Sequence, residues 1–310
     1  MPPRFHNPLV RDLAWVAASP ALLDSQLLPM RDPLQDSIWR QDPDQLWHEL
    51  SALDEAPHRL AALFSDSPDR RLGSHYERLW HALLTLAPDT RILAHNIALR
   101  RGAHTLGEID LVMQAADGAI VHLELAVKFY LGRADLHNPQ QHCSDPQHWW
   151  GIDTRDTLAH KLARLTQHQL PLSQRLPELA TAHRALPLPE VAAAWLQGGL
   201  FTPLDQPIPL PAGGLAPPKP LHWCPVHALK TLPAHSRWLQ LPHKEWLMPP
   251  PADTGETLSP SAMRALCLRL GRHRARMFCA AKDDSLSAER LLCVDDAWPA
   301  RAARLLDIGG

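Results

Sequence analysis

The sequence lacks any apolar run long enough to cross a bilayer. The longest apolar stretch near the N-terminus, Leu13 to Leu23, contains Pro20 and is flanked by Asp12 and Asp24. It also lacks the basic-then-apolar order of a signal peptide, so we interpret it as a helix that packs in the core. Neither an internal repeat nor a Gly-rich phosphate loop is present. We therefore expect no membrane partner and no phosphate-loop nucleotide site.

Cysteine is scarce and the net charge is small. The five scattered cysteines include no Cys-x-x-Cys pair, which argues against a disulfide framework or a zinc ribbon and is typical of a reducing cytosol. We therefore expect a cytoplasmic protein. The 31 Lys and Arg residues nearly balance 33 Asp and Glu residues, so no strong global field attracts DNA. Binding to nucleic acid would need local basic patches.

The first part of the chain, residues 1–87, has a helical pattern. Large apolar residues between Trp39 and Leu53 recur near a helical period. A second helix opens at Gly73-Ser74. Ser74 suits an N-cap and Glu77, three residues later, completes a capping-box pattern.

The pattern then changes to a period of two. It predicts strands over 91–100, 105–114 and 120–131, followed by a helix over 155–170 that Pro171 ends. Prolines concentrate after Pro171, which predicts short elements. These are a strand over 190–201, a Pro/Gly-rich loop over 202–222, extended pieces at 237–241 and 244–248, and a hairpin at 275–281 and 289–295. The helix, strand, hairpin and helix around residues 74–170 predict an α/β core.

Two acids stand on neighbouring strands of this core. If Asp117-Gly118 were a two-residue loop, Asp110 would lie opposite Leu125 and Glu124 would face the other side. A three-residue loop that begins at Ala116 instead places Asp110 opposite Glu124, with β-carbons about 5 Å apart. We favour the three-residue loop, since Gly118 suits the left-handed closing position of such a turn.

Two carboxylates this close repel each other unless a cation lies between them. Hard oxygen ligands favour Mg²⁺ or Mn²⁺, which can polarise a phosphate and activate water. Lys128 shares the face of Glu124 and could stabilise negative charge. The alternative is a solvated strand face with a cross-strand ion pair. Apolar residues on the opposite face imply that the other side of the strands is buried, which favours the metal site.

This pattern resembles the PD-(D/E)XK nuclease superfamily, in which an acid and a turn precede Glu-x-Lys on the next strand. The resemblance implies a restriction-endonuclease-like mixed central sheet flanked by helices, with Asp110 and Glu124 as metal ligands. It also implies that Glu77 is a metal ligand, since the superfamily carries an additional acid on the preceding helix. The alternative is that Glu77 has only a structural role in the capping box. The sequence departs at the lysine: the usual position holds Ala126, and Lys128 lies roughly 7 Å further along the strand.

Three further residues are candidate substrate contacts. Glu108 is either a neighbour of the ligands or a solvated acid. Lys161 lies on a polar helical stripe that could grip phosphates or simply face solvent. Gln169 lies near the apolar stripe of the same helix, where it needs a partner. By the resemblance, this helix often lends a polar residue to the site.

The chain is also identified as a member of a bacterial family, domain of unknown function 1853. The segments that carry this resemblance are Arg11 to Trp15 with Ser19-Pro20, His122 to Leu131, and Asp156 to Leu162 running on to Gln169-Leu170. The family name states no activity, so this resemblance bears on the fold rather than on the function.

A His-rich stretch is a weaker candidate. Its members fit no zinc spacing and indicate a surface loop: His137, His142, Cys143 and His148.

The leading hypothesis is a Mg²⁺-dependent deoxyribonuclease in which Asp110, Glu124 and Glu77 hold the metal and Lys128 orients the attacking water. The alternative is a catalytically inactive protein of the nuclease fold that binds nucleic acid or a protein partner. We expect an N-terminal helical segment over 1–72, the nuclease-like core over 73–201, and a Pro/Arg-rich α+β C-terminal extension over 202–310.

Overall fold

The computed structural model describes residues 4–64, 71–101, 104–133, 144–176, 186–206, 208–249, 255–271, 274–281 and 289–306. The chain divides into two compact units. Unit 1 comprises Met1–Val127 and Leu162–Gln197, and unit 2 comprises Lys128–Lys161 and Gly198–Gly310.

Unit 1 begins with helices, as the helical pattern predicts. Their bounds are Pro8–Ala18 (α1), Ile38–Gln41 (α2), Pro43–Glu55 (α3), Pro57–Leu63 (α4) and Leu72–Leu86 (α5). Helix α1 opens with Pro8 behind an Asn7 cap, whose side chain accepts the Leu9 N–H. Its residues from Val10 to Ala17 are buried, which confirms a core-packing helix. The helix ends at Ala18, not Leu23, because Ser19 precedes Pro20 and is extended.

The predicted N-cap of α5 is wrong. The helix starts at Leu72, and the capping residue Arg71 makes no side-chain cap hydrogen bond. Ser74 therefore lies within the first helical turn, where it cannot cap. This removes the capping box as the structural explanation for Glu77.

The strands of unit 1 match their predicted positions closely. Strands β1 (Arg91–Arg101), β2 (His104–Gln114) and β3 (Ile120–Gly132) pair antiparallel in sequence, and β3 leaves the unit after Val127. The β2–β3 turn has three residues: the Ala115 N–H donates to the Ala119 carbonyl, and Gly118 has a φ of 86°. The predicted loop length is therefore confirmed.

One continuous helix over 155–170 is not observed. Helix α6 covers Leu158–Arg164, a π-helical segment follows at Leu165–Gln169, and a 3₁₀ helix continues over Leu170–Arg175. Pro171 lies at the start of that 3₁₀ turn, where its missing N–H costs no helical hydrogen bond. Strand β5 (Val191–Pro203) confirms the strand predicted over 190–201.

Unit 2 contains short elements joined by Pro-rich loops, as predicted. Its strands are Trp149–Gly151 (β4), Leu221–Pro225 (β6), Trp238–Leu241 (β7), Thr257–Leu258 (β8), Ala275–Ala280 (β9) and Arg290–Val294 (β10). Its helices are Pro260–Cys267 (α7) and Trp298–Leu306 (α8), with 3₁₀ turns at Pro146–His148, Val226–Thr231 and His243–Glu245.

The pairings of unit 2 test two further predictions. Strand β10 pairs parallel with β6 and antiparallel with β9, so the predicted C-terminal hairpin is confirmed. The extended piece predicted over 244–248 is wrong, because a 3₁₀ turn occupies His243–Glu245 instead.

Ten strands among the described residues belong to a mixed sheet. With helices α1–α8, they confirm an α/β protein with a mixed sheet flanked by helices. Within the described parts of the chain, no helix has the length and apolar character needed to span a membrane.

Candidate functional site

The β2–β3 ladder stops where the two predicted acids stand. Regular pairing runs from Gln114 opposite Ile120 to Leu111 opposite Leu123. One residue further, the Asp110 N–H points at Glu124 Oε1 at 3.5 Å. The Leu125 N–H donates to Asp110 Oδ2 at 3.0 Å. Side-chain carboxylates thus replace backbone carbonyls as acceptors, and the acids lie side by side.

Glu124 is almost completely buried, with 1% of its surface exposed. Its Oε1 lies 2.9 Å from His122 Nε2, and its Oε2 accepts a short hydrogen bond from Gln169 Nε2. A buried carboxylate is costly unless hydrogen bonds replace its lost hydration. The N–H groups of Asp110 and Gln169 direct hydrogen bonds at this carboxylate, and His122 Nε2 lies within hydrogen-bond distance of it.

Gln169 reaches Glu124 from the π-helical segment. At the end of that segment, the Leu170 N–H donates to the Leu165 carbonyl, which lies five residues earlier. Single π-helical turns are frequent at functional sites because they re-aim side chains. The partner that the sequence requires for Gln169 is therefore Glu124.

His122 is a further member of this cluster, which the acid–turn–acid pattern does not predict. It is completely buried, and strand alternation places it on the same face as Glu124. A signal was present in the sequence, because histidine two residues before the acid must share its face. We define the site cluster as Asp110, His122, Glu124 and Gln169.

The other two predicted acids of unit 1, Glu108 and Glu77, lie on β2 and α5. Glu108 is exposed and lies opposite Ala98 in the β1–β2 ladder. Glu77 is half-buried on α5. Among the described residues, no three His, Cys, Asp or Glu side chains are grouped so that they could hold a metal ion together.

The predicted lysine belongs to a cluster in unit 2. Lys128 Nζ forms an ion pair with Asp156 Oδ2 at 2.8 Å, and both side chains are about one-third exposed, at 36% and 33%. The Tyr130 hydroxyl lies 3.4 Å from the same oxygen. Burial and the nearby Asp156 charge raise the pKa of Tyr130, so it stays a neutral donor. Lys161 is half-buried on α6.

The loop that carries Asp156 has a constrained backbone. Thr154 is buried with a φ of 60°, a conformation that costs energy for a β-branched residue. The Asp156 carbonyl accepts the Gly151 N–H at 2.8 Å. These features fix the position from which Asp156 contacts Lys128.

The His-rich stretch is only partly described. His137, His142 and Cys143 lie outside the described residues, whereas His148 ends a 3₁₀ turn and is half-buried.

Comparison with protein families gives a match over most of the chain. The model of the family described as "Domain of unknown function (DUF1853)" matches residues 11–292. Neither the curated proteins nor the solved structures include a match to the chain.

Proposed function

The chain belongs to the DUF1853 family, and we propose that it is a metal-dependent nuclease that hydrolyses phosphodiester bonds in DNA. Asp110 and Glu124 would hold Mg²⁺ or Mn²⁺. The observation that carries the proposal is that Asp110 and Glu124 are neighbours where the β2–β3 ladder ends, each carboxylate facing a backbone N–H of the opposite strand. A restriction-endonuclease-like arrangement of the mixed sheet and a cytoplasmic location belong to the same proposal.

The donor set of Glu124 leaves room for a cation. A carboxylate offers about four lone-pair directions. Three are directed at N–H groups: two at Oε1, from His122 and Asp110, and one at Oε2, from Gln169. Among the described residues, one direction at Oε2 therefore has no N–H donor, and a hard cation would use it. Mg²⁺ usually takes one or two carboxylates and keeps several waters, so two acids suffice.

The residues of the cluster have distinct proposed roles. A bound metal would polarise the scissile phosphate and lower the pKa of a coordinated water. Asp110 and Glu124 supply the negative charge that holds the cation. Gln169 fixes the carboxylate plane of Glu124 through its hydrogen bond to Oε2. For Lys128 the proposed role is the one that the resemblance implies, which is to orient the attacking water.

Calorimetry with Mn²⁺ and cleavage of linear, circular and branched DNA and of RNA test this function together. The informative variant is Asp110→Asn, because its remaining amide oxygen can still accept the Leu125 N–H while the charge is lost. Asp44→Asn, an exposed residue on α3, is the matched control. We expect wild type and Asp44→Asn to bind Mn²⁺ and cleave DNA, and Asp110→Asn to do neither. The nuclease proposal is overturned if wild type neither binds Mn²⁺ nor cleaves any substrate.

A second candidate is a non-catalytic descendant that binds nucleic acid or a protein. It is favoured by the Lys128–Asp156 ion pair, because the ammonium there already has a carboxylate partner. This candidate predicts DNA binding in a gel-shift experiment without cleavage, and equal binding by wild type and Asp110→Asn.

A further inference from the structure

We infer that His122 is a positioning residue that orients the Glu124 carboxylate from inside unit 1. This inference rests on the proposed function, since the oriented carboxylate is the proposed metal ligand. It names a residue that neither the metal-ligand motif nor the family description assigns.

The geometry of the contact supports the role. His122 Nε2 lies 2.9 Å from Glu124 Oε1, whereas Gln169 bonds the other oxygen, Oε2. Two donors on different oxygens fix the rotation of the carboxylate about its terminal bond. An ordinary strand glutamate with one partner would retain that freedom.

Burial makes the contact difficult to replace. His122 and Glu124 are 0% and 1% exposed, so water cannot substitute for the imidazole. His122 Nδ1 is also buried and has no hydrogen-bond partner among the described residues. An apolar residue of similar size would pack equally well and would avoid that unpaired nitrogen. The hydrogen bond from Nε2–H to Glu124 therefore explains why a histidine occupies this position.

A direct ligand role for His122 fits the geometry less well. Its Nε2 is directed at Glu124, and the other nitrogen is enclosed. A histidine that donates to a metal-binding carboxylate stabilises the ligand's orientation and charge without touching the ion.

Two substitutions separate this role from simple packing. His122→Leu keeps an apolar volume and removes the donor. His122→Gln keeps a side-chain N–H near the position of Nε2. Mutation of a residue that hydrogen-bonds a metal ligand typically weakens metal binding by about 10- to 100-fold. We expect His122→Leu to weaken Mn²⁺ binding by about that factor, and His122→Gln to restore it to within about threefold of wild type. Circular dichroism checks that both variants fold.

The inference is overturned if folded His122→Leu binds Mn²⁺ as tightly as wild type, or if His122→Gln is as impaired as His122→Leu. Should His122→Leu not fold, the comparison of His122→Gln with wild type and the spectroscopic measurement below decide the matter.

An NMR measurement on the metal-free protein tests the positioning without relying on metal binding. Long-range ¹H–¹⁵N spectra report which imidazole nitrogen carries the proton. We expect the proton of His122 on Nε2, and we expect its resonance to shift in Glu124→Gln. His75, which contacts Asp12 at 2.8 Å, is the internal control and should not change. A proton on Nδ1 of His122 would overturn the inference.

The two experiments distinguish the possible failures. Absence of Mn²⁺ binding by wild type, together with absence of cleavage, overturns the proposed function. The NMR result then still decides whether His122 holds Glu124. Mn²⁺ binding by wild type with no effect of His122→Leu leaves the proposed function intact and removes only the positioning role.

Discussion

The hydroxyl of Tyr76 donates to the side-chain carbonyl of Gln197 at 2.8 Å, and both side chains are completely buried. The amide of Gln197 in turn donates to the backbone carbonyls of Val16 and Ser19. One glutamine on β5 therefore ties α5 to the C-terminal end of α1. Every polar atom of its side chain has a partner, which is the condition under which a buried amide is stabilising.

Tyr76→Phe is expected to destabilise the protein by about 1–3 kcal/mol, because the completely buried Gln197 Oε1 would lose its donor. Urea unfolding followed by circular dichroism measures the loss. The matched control is Tyr130→Phe, since the Tyr130 hydroxyl makes a longer contact of 3.4 Å to a partly exposed carboxylate. Equal losses in the two variants would contradict the importance that we assign to the Gln197 network.

The parts of the fold that sequence alone predicts are those specified by neighbouring residues. Strands β1 to β3 follow from a period of two, and the three-residue turn follows from Gly118, whose φ of 86° suits glycine. The sequence pattern does not predict the π-helical segment at Leu165–Gln169. It accompanies the contact of Gln169 with Glu124, which no local pattern contains.

The candidate site shows the same division. Strand alternation and turn length predict that Asp110 meets Glu124, and both are local properties. The partner of Lys128 could not be predicted, because Asp156 follows it by 28 residues and reaches it through a loop with a strained Thr154. His122 could have been predicted from its place on the Glu124 face. It resembles any other buried strand residue until its hydrogen bond is known.

Gly118→Ala is expected to cost about 1 kcal/mol, since the left-handed φ penalises any β-carbon. Apart from Gly118 and its two chain neighbours, no atom of the described residues lies within 4 Å of the added methyl group, so the loss would be conformational rather than steric. Gly73 has equally open space around an added β-carbon, but it lies in the first turn of α5, where a helix-forming residue is favoured. Gly73→Ala should therefore leave stability unchanged or raise it by up to about 1 kcal/mol. Thermal unfolding of both variants tests the difference in sign.

Gly198→Ala is expected to be far more damaging. A β-carbon at Gly198 would lie 1.8 Å from the Lys128 carbonyl oxygen, and the φ of 130° is unfavourable for other residues. Backbone atoms cannot move aside as side chains can, so we expect a loss of more than about 3 kcal/mol or failure to fold. Soluble expression and urea unfolding measure this. A variant as stable as wild type would show that the two strands separate there at little cost.

The imidazole of His81 on α5 should make stability depend on pH. Burial, assisted by the nearby His95 ring at 4.5 Å, lowers the pKa of His81 from 6.5 to about 4. Between these values the unfolded chain binds a proton at this position that the folded protein does not. The free energy of unfolding should therefore rise as the pH rises from about 4 to 6.5. The contribution of His81 to stability should be lost again when the pH falls through that range. The contribution is at most about 3–4 kcal/mol, since one pKa unit corresponds to about 1.4 kcal/mol.

Replacing the His81 imidazole tests both the sign and the size of its contribution to the pH dependence of stability. His81→Gln should flatten the rise in unfolding free energy between pH 4.5 and pH 6.5, measured by urea unfolding at several pH values. His58→Gln, an exposed histidine on α4, should keep the wild-type slope. If His81→Gln and wild type lose stability in parallel on acidification, folding does not lower the pKa of His81. The acid sensitivity would then come from the carboxylates, whose paired forms must also be protonated as the pH falls.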